Sequence, residues 1–453
     1  MGEPITIVGA GPVGSLLALT LARRGYQVDV FERRPDLRRG GEAAGRSINL
    51  AVSTRGLHAL HSVGLDREVL DNAVPMLGRM MHALDGHRTF LRYGRDDREF
   101  INSMSRGGLN RLLVDEAEKT GRVRLHFEQR LTAYDFDKRV ATFREARSGK
   151  PREVEAKVII GSDGSGSALR AALPGARVSE GVLSSGYKEL TLPALSGGGF
   201  RLEKGALHIW PRGNFMLIAL PNLDGSFTCT LFLPFEGTTS FARLQTAADI
   251  LEFFDGYFGD TVPLIPDLAS HFQVAPVGKM VTVTVEPSWS HGTALLIGDA
   301  AHAIVPFFGQ GMNAGFEDVT LLDQLLGADA DLAAVFATFA QRRKPDTDAI
   351  AGLAVENFVE MRDKVADPAF LLHKAVEGEL QKRFPGQYFS RYQLVTFTRI
   401  PYRAALRAGQ LQAEILNELC RGVDDPADVD YLRAFVLVRS RLSPLYREHG
   451  LQV

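Results

Sequence analysis

Several protein classes are excluded by what the sequence lacks. It has only two cysteines, Cys229 and Cys420, far apart in 453 residues. That is too few for a disulfide framework or a thiolate zinc site, and it fits a reducing compartment. There is no excess charge of one sign: 52 Lys and Arg stand against 54 Asp and Glu, a formal net charge of −2. A nucleic-acid binder would carry a basic excess. Long apolar runs are missing too. Stretches such as Phe215–Leu220 fall far short of the ~20 residues that span a bilayer. An apolar strand pattern begins within four residues of the N-terminus, leaving no room for a signal peptide, so a soluble, cytoplasmic protein is expected. No G-x-x-x-x-G-K-[ST] and no G-x-S-x-G occurs, which argues against P-loop and nucleophile-elbow enzymes. Repeats and low-complexity tracts are absent as well.

The remaining composition, 45% hydrophobic and 23% charged, is ordinary for a globular chain. The length predicts two or three domains at about 100–200 residues each. Ile5–Val8 and Gln27–Glu32 read as strands around a helix at Gly14–Arg24, with Leu17, Ala18 and Leu21 on one side. This βαβ pattern predicts a parallel sheet. Val158–Ile160 and Ala294–Ile297 read as further buried strands of it. From about Tyr187 to Pro234, the runs Leu207–Trp210, Phe215–Leu220 and Phe227–Leu233 are separated by Gly and Pro, which predicts an antiparallel sheet. Beyond about residue 345 the pattern is helical.

Three motifs carry chemistry. In the first, Gly9-Ala10-Gly11-Pro12-Val13-Gly14 follows a strand and opens a helix. Gly9 permits the tight turn, Gly11 lets backbone approach a pyrophosphate, and Gly14 lets helix and strand pack closely. Glu32 lies 18 residues after Gly14, where it can accept from a ribose 2′-hydroxyl and would repel a 2′-phosphate. FAD or NAD therefore suits this site better than NADP. The second motif, Gly161-Ser162-Asp163-Gly164 followed by Ser167 and Arg170, is by itself equally compatible with a plain helix cap. The third is Gly298-Asp299-Ala300-Ala301-His302, then Pro306 and Gly309-Gln310-Gly311-Met312-Asn313. Asp299 can accept a ribityl hydroxyl. The Gly309–Asn313 stretch offers backbone N–H groups at a helix start, suited to the negative charge of a reduced flavin. His302 is read as structural. His58 and His61, three apart in a helical stretch, are read as a solvated face because no third metal ligand is apparent.

These motifs, in this order, resemble the FAD-dependent aromatic hydroxylases of the 4-hydroxybenzoate hydroxylase type over roughly the whole chain. Four segments are similar to the kynurenine 3-monooxygenase family in particular, in its bacterial form. They are Gly45-Arg46-Ser47-Ile48-Asn49-Leu50-Ala51, Leu207-His208-Ile209-Trp210-Pro211-Arg212, Ser226 to Phe232, and Gly298 to Asp318. The resemblance implies flavin contacts from Gly9, Gly11, Gly14, Glu32, Arg106, Asp299, Met312 and Asn313, to which the motifs themselves add Asp163 and Gly311. It implies substrate contacts from Arg79, Tyr93, Asn357 and Tyr392, gripping the amino-acid end of L-kynurenine. It implies an apolar wall of Leu207, Ile218, Leu220, Phe232, Pro306 and Phe307. Without it, Arg79 reads as a surface residue on a strand and Tyr392 as a packed aromatic.

The fold so implied is α/β: a Rossmann-like FAD-binding domain (1–75, 99–180 and 273–345), a substrate-binding β-sheet domain (76–98 and 181–272), and a helical C-terminal region (346–453) closing the site. The reaction implied uses non-covalent FAD, NADPH and O2. It passes through a flavin C4a-hydroperoxide to 3-hydroxy-L-kynurenine, with no catalytic side chain and no metal. The chain ends Arg447-Glu448-His449-Gly450-Leu451-Gln452-Val453, without the C-terminal membrane anchor of eukaryotic members. Two rivals share the fold: a hydroxylase of another aromatic acid, and a non-enzymatic escort-type scaffold. No second dinucleotide fingerprint marks an NADPH site.

Overall fold

The computed structural model describes residues 4–39, 49–94, 96–327, 331–359 and 368–451. Of the family-like segment 45–51, positions 45–48 lie outside the described residues.

Short runs of apolar residues form a six-stranded sheet. Its order is Ser290–His291, Ala294–Leu296, Ile159–Gly161, Ile5–Val8, Val28–Phe31 and Val123–His126. Five strands are parallel, and the Ser290–His291 edge is antiparallel. The strand centres are wholly buried, as a parallel sheet covered on both faces requires. The helix Pro12–Arg23 is buried almost all round rather than on one stripe, from Gly14 through Ala22. It lies between this sheet and the helices Arg106–Lys119 and Gly311–Leu325.

The second sheet has seven strands: Gly278–Glu286, Arg177–Leu192, Phe227–Pro234, Phe215–Pro221, Ala206–Arg212, Gly78–His82 and Arg88–Arg92. It is antiparallel except where Ala206–Arg212 runs parallel to Gly78–His82. Side chains alternate between faces along a strand. Cross-strand register therefore places Arg79, Leu207, Ile218, Leu220 and Phe232 on one face. His82, His208, Trp210, Cys229 and Leu231 are on the other, over the Phe253, Phe254 and Phe258 cluster.

Three elements cross the boundaries drawn from sequence. The strand Arg177–Leu192 spans position 180. Gly278–Glu286 belongs to the seven-stranded sheet although it follows residue 273. The helix Leu332–Val359 runs unbroken through Pro345, so the C-terminal region starts within a helix rather than after one. That region packs on the Arg79 face of the sheet, joining Ile209, Met216 and Phe232 to Ile350, Leu353, Tyr388, Leu394 and Tyr402. No helix among the described residues is long and apolar enough to cross a membrane.

Candidate active site

The glycine loop is shaped by its own backbone. Gly9 adopts φ +102°, and a Cβ there would lie 2.5 Å from the Ser162 carbonyl oxygen. A Cβ on Gly14 would collide with the Gly9 carbonyl oxygen. Gly11 differs: a Cβ there would meet nothing within 4 Å. Its open side lies at the N-terminus of the helix Pro12–Arg23, where unpaired N–H groups favour a phosphate. The second motif locks onto the first, since Ser162 donates from N to the Val8 carbonyl at 2.8 Å and from Oγ to that of Gly9 at 3.0 Å. Asp163 Oδ2 accepts from Ala168 N at 2.8 Å. Its Oδ1 is buried with no hydrogen-bond partner among the described residues, and burial raises its pKa. An orphaned buried acceptor beside an open glycine cradle fits a polyhydroxylated, phosphate-bearing cofactor.

Glu32 is buried, and its carboxylate already accepts from Ala10 N at 2.9 Å and from Arg34 N and Nε at 2.9 Å. Burial works against its charge, but the Arg34 guanidinium holds its pKa below the usual range. Each carboxylate oxygen has further lone pairs, so a ribose hydroxyl remains within its capacity. Asp299 is exposed at the end of the Ala294–Leu296 strand. Arg106 is exposed at the start of its helix, whose cap is Ser105 Oγ accepting from Gly108 N at 3.2 Å.

Asn313 has its side chain committed elsewhere. Nδ2 donates to the Ala51 and Gly309 carbonyls at 2.8 and 2.9 Å. Oδ1 accepts from Ser53 N at 3.0 Å. Toward a flavin, Asn313 has only its main chain to offer. Gly309 turns the chain at φ +65°, and Gly311 and Met312 follow as the first residues of the helix Gly311–Leu325. Below this loop sits a charge network that sequence reading missed. Asp318, fully buried, accepts from Gly298 N at 2.8 Å, His302 Nε2 at 2.6 Å and Arg343 Nε at 2.7 Å. Burial opposes the Asp318 charge, but His302 and Arg343 hold its pKa low. His302 is thereby fixed to a structural partner. His58 and His61 turn to Arg399 and Asp66.

The fold brings Arg79 and Tyr93 against Tyr392, 313 and 299 positions further along the chain. The Arg79 guanidinium carbon lies 5.1 Å from the Tyr93 ring centroid and 4.7 Å from that of Tyr392. The two rings stack at 5.1 Å and 14°. Tyr392 also stacks on Phe308, at 5.7 Å and 19°, which extends the column to the glycine loop. Burial drives both phenol pKa values up, so both rings stay neutral. Burial also opposes the Arg79 charge, yet the facing phenol oxygens hold its pKa above the ordinary value. No carboxylate among the described residues pairs with Arg79, and the Tyr93 hydroxyl, although it faces Arg79 and Tyr392, makes no well-formed hydrogen bond. An enclosed cation costs free energy unless paired, so the trio can accept an anion, and carboxylate geometry suits a guanidinium.

Leu207, Ile218 and Leu220 pack with Met76, Ile101, Tyr93 and Tyr392 beside Arg79. Phe232 meets Phe307 at 5.1 Å. Pro306 stands apart: it is exposed. Asn357 donates to the Phe307 carbonyl at 2.9 Å, a contact with the loop.

The profile of the FAD binding domain family matches residues 3–213 and 261–347. The chain is 54% identical to a kynurenine 3-monooxygenase of Myxococcus xanthus, over 99% of this chain and 97% of that protein. It is 48% identical to one of Xanthomonas oryzae pv. oryzae, over 98% of each. Among solved structures it superposes on 2-methyl-3-hydroxypyridine-5-carboxylic acid oxygenase with a TM-score of 0.66 at 22% identity, covering 82% of this chain and 96% of that one. It superposes on p-nitrophenol 4-monooxygenase of Pseudomonas putida with a TM-score of 0.64 at 18% identity, covering 93% and 98%; these two likenesses establish the fold. The open glycine cradle, the orphaned Asp163 oxygen and near full-length identity agree: this chain belongs to the kynurenine 3-monooxygenase family of FAD-dependent hydroxylases.

Proposed function

We propose that this chain hydroxylates L-kynurenine to 3-hydroxy-L-kynurenine, using NADPH and O2. The observation that carries the reading is the enclosed Arg79 cation, flanked by two neutral phenols and lacking a carboxylate partner among the described residues. The relatives' names supply the reaction, and the socket supplies a reason for an amino-acid substrate.

Bound FAD, reduced by NADPH, supplies the oxygen-activating chemistry. The chain's residues supply position. Arg79 receives the substrate carboxylate, and Tyr93 and Tyr392 add phenol hydrogen bonds. Leu207, Ile218, Leu220, Phe232 and Phe307 hold the aromatic ring and exclude water. The substrate's aromatic amine already feeds electrons into the ring, so no protein base is required, and His302 is engaged by Asp318. For the cofactor, Gly9, Gly11, Gly14 and the helix start at Pro12 would take the pyrophosphate, Glu32 a ribose hydroxyl, and Asp163, Asp299 and Arg106 further polar groups. The main chain at Gly311, Met312 and Asn313 would face the pyrimidine end. Asn357 acts by fixing the Phe307 carbonyl, and Pro306 borders the wall from the same turn. In domain terms, the glycine-motif sheet serves FAD, the seven-stranded sheet serves substrate, and the C-terminal helices close the site. Two cysteines without a disulfide agree with a cytoplasmic setting.

The test is NADPH consumption with and without L-kynurenine, the product being identified by mass. Stimulation by L-kynurenine with a one-oxygen gain is expected, and none by 4-hydroxybenzoate or salicylate. Equal turnover of a simple phenolic acid would overturn the substrate assignment.

A further inference from the structure

Arg55 is the second residue of the helix Thr54–Ser62, and its sequence context gives no reason to bury it. Its side chain is nonetheless 1% exposed. Nε donates to the Val395 carbonyl at 2.8 Å, and Nη2 to that of Ile400 at 2.6 Å. Nη1 meets Glu317 Oε1 at 2.5 Å. The guanidinium lies 4.0 Å from the Tyr402 ring centroid, and the Tyr402 hydroxyl donates to Gln310 Oε1 at 2.9 Å.

These partners are not scattered. Val395 is in the helix Arg391–Thr396, which carries Tyr392 and has only six residues. A helix that short has little stability of its own, and its last carbonyls have no partners within it. Arg55 supplies one, capping the C-terminal end as basic side chains do. Glu317 lies in the helix that begins at Gly311, and Gln310 in the loop just before it. The planar fork of arginine can serve several acceptors at fixed angles, which lysine cannot.

We propose that Arg55 is a positioning residue for the hydroxylation: it caps the helix carrying Tyr392 while anchored to Glu317, and so sets the Tyr392 phenol against Arg79 in register with the Gly309–Asn313 loop. The proposal rests on reading Arg79 and Tyr392 as the substrate socket.

The test uses Arg55→Lys holoenzyme, with L-kynurenine affinity read from the perturbed absorption of the bound flavin. FAD content and Tm are measured alongside. Arg55→Lys keeps its FAD, and its L-kynurenine affinity falls about three- to tenfold, no more than losing the one Tyr392 phenol contact through which it acts. The double variant with Tyr392→Phe is no more than about twofold worse than Tyr392→Phe alone, because the two changes act through one phenol. Glu317→Gln, which loosens the same guanidinium from its other side, weakens binding in the same direction. Lowered Tm with parental affinity in Arg55→Lys, or parental affinity in Glu317→Gln, overturns the proposal. So do losses that multiply in the double variant. Failure of the parent protein itself to bind L-kynurenine overturns the substrate reading, and this proposal with it.

Discussion

The guanidinium of Arg79 lies 4.7 Å from the ring centroid of Tyr392, so a strand of the second sheet and a C-terminal helix meet at a single cation. A charged hydrogen bond is worth roughly 1.5–3 kcal/mol and a neutral one about 0.5–1.5. Arg79→Met should therefore weaken L-kynurenine binding on the order of ten- to a hundredfold, and Tyr93→Phe about tenfold or less. The loss should fall mainly on KM if the contact is equal in ground and transition states. Steady-state kinetics of the two variants decide it; an unchanged KM in Arg79→Met would remove the guanidinium from the site.

Asn313 braces the Gly309–Asn313 loop with three side-chain hydrogen bonds: one to the Gly309 carbonyl within the loop, one to the Ala51 carbonyl of the Asn49–Val52 strand, and one from Ser53 N just beyond that strand. At about 0.5–1.5 kcal/mol each, their loss in Asn313→Ala sums to roughly 1.5–4.5 kcal/mol. The apoprotein should melt several degrees lower, and FAD should be released more readily. Parental melting and parental FAD retention together would show that the loop is held by something else.

The legible parts of the molecule were local ones. The glycine loop, its flanking strands and the helix starting near Met312 are each fixed by residues within about 25 positions. The family resemblance put Leu207 and Ile218 in an apolar wall, and cross-strand register places them on one face of the second sheet. The socket was not legible from pattern, because Arg79 and Tyr392 are neighbours only after two sheets and the C-terminal helices have assembled; resemblance alone pointed to them. Buried charges such as Arg55, Asp318 and Arg343 have no periodic signature at all, since a charged residue in a helix reads as surface until its partners are known. The commitment of the Asn313 amide to Ala51 and Ser53 was hidden for the same reason.

The opposite face of the second sheet carries a pH dependence of its own. His208 Nε2 faces the Glu203 carbonyl at 2.9 Å, which can only accept. Nδ1 must therefore accept from His82 Nε2 at 2.9 Å. His82 Nδ1 reaches Asp260 at 3.0 Å, and Trp210 Nε1 donates to the same carboxylate at 2.9 Å. Burial, aided by His82 and Arg88 and opposed by Glu203, pushes the His208 pKa down to about 4, against about 6.5 unfolded. As pH falls, the unfolded chain takes up this proton first, so stability declines from about pH 6.5 toward pH 4 and is complete only above that window. Between pH 7 and 5 the contribution is about 2 kcal/mol. Comparing the melting of the parent with that of His208→Gln isolates it, because Asp260 and Arg88 are common to both. The gap between the two proteins should narrow on acidification, and a gap independent of pH would show that His208 is not held neutral.

The helical C-terminal region should prove to be a wall of the active site. Tyr392 contributes one phenol of the socket and stacks on Phe308, while Asn357 holds the Phe307 carbonyl from the helix Leu332–Val359. Every motif proposed to hold the cofactor ends by Asn313, so changes in these two residues should leave the proposed FAD-binding elements intact. What they alter is closure. Tyr392→Phe removes a hydrogen-bonding hydroxyl but keeps the stack, and Asn357→Ala releases the turn that bears Phe307. Either change admits water to a pocket whose chemistry depends on excluding it. Each variant should retain FAD, bind L-kynurenine about three- to tenfold more weakly, as expected for one neutral hydrogen bond, and release more hydrogen peroxide per NADPH consumed. Asn357→Ala should show the larger peroxide yield for its loss of affinity, because it loosens a main-chain turn rather than a single contact. Peroxide and 3-hydroxy-L-kynurenine measured in the same reaction give the ratio directly. If both variants convert NADPH to hydroxylated product as completely as the parent, the C-terminal helices do not close this site.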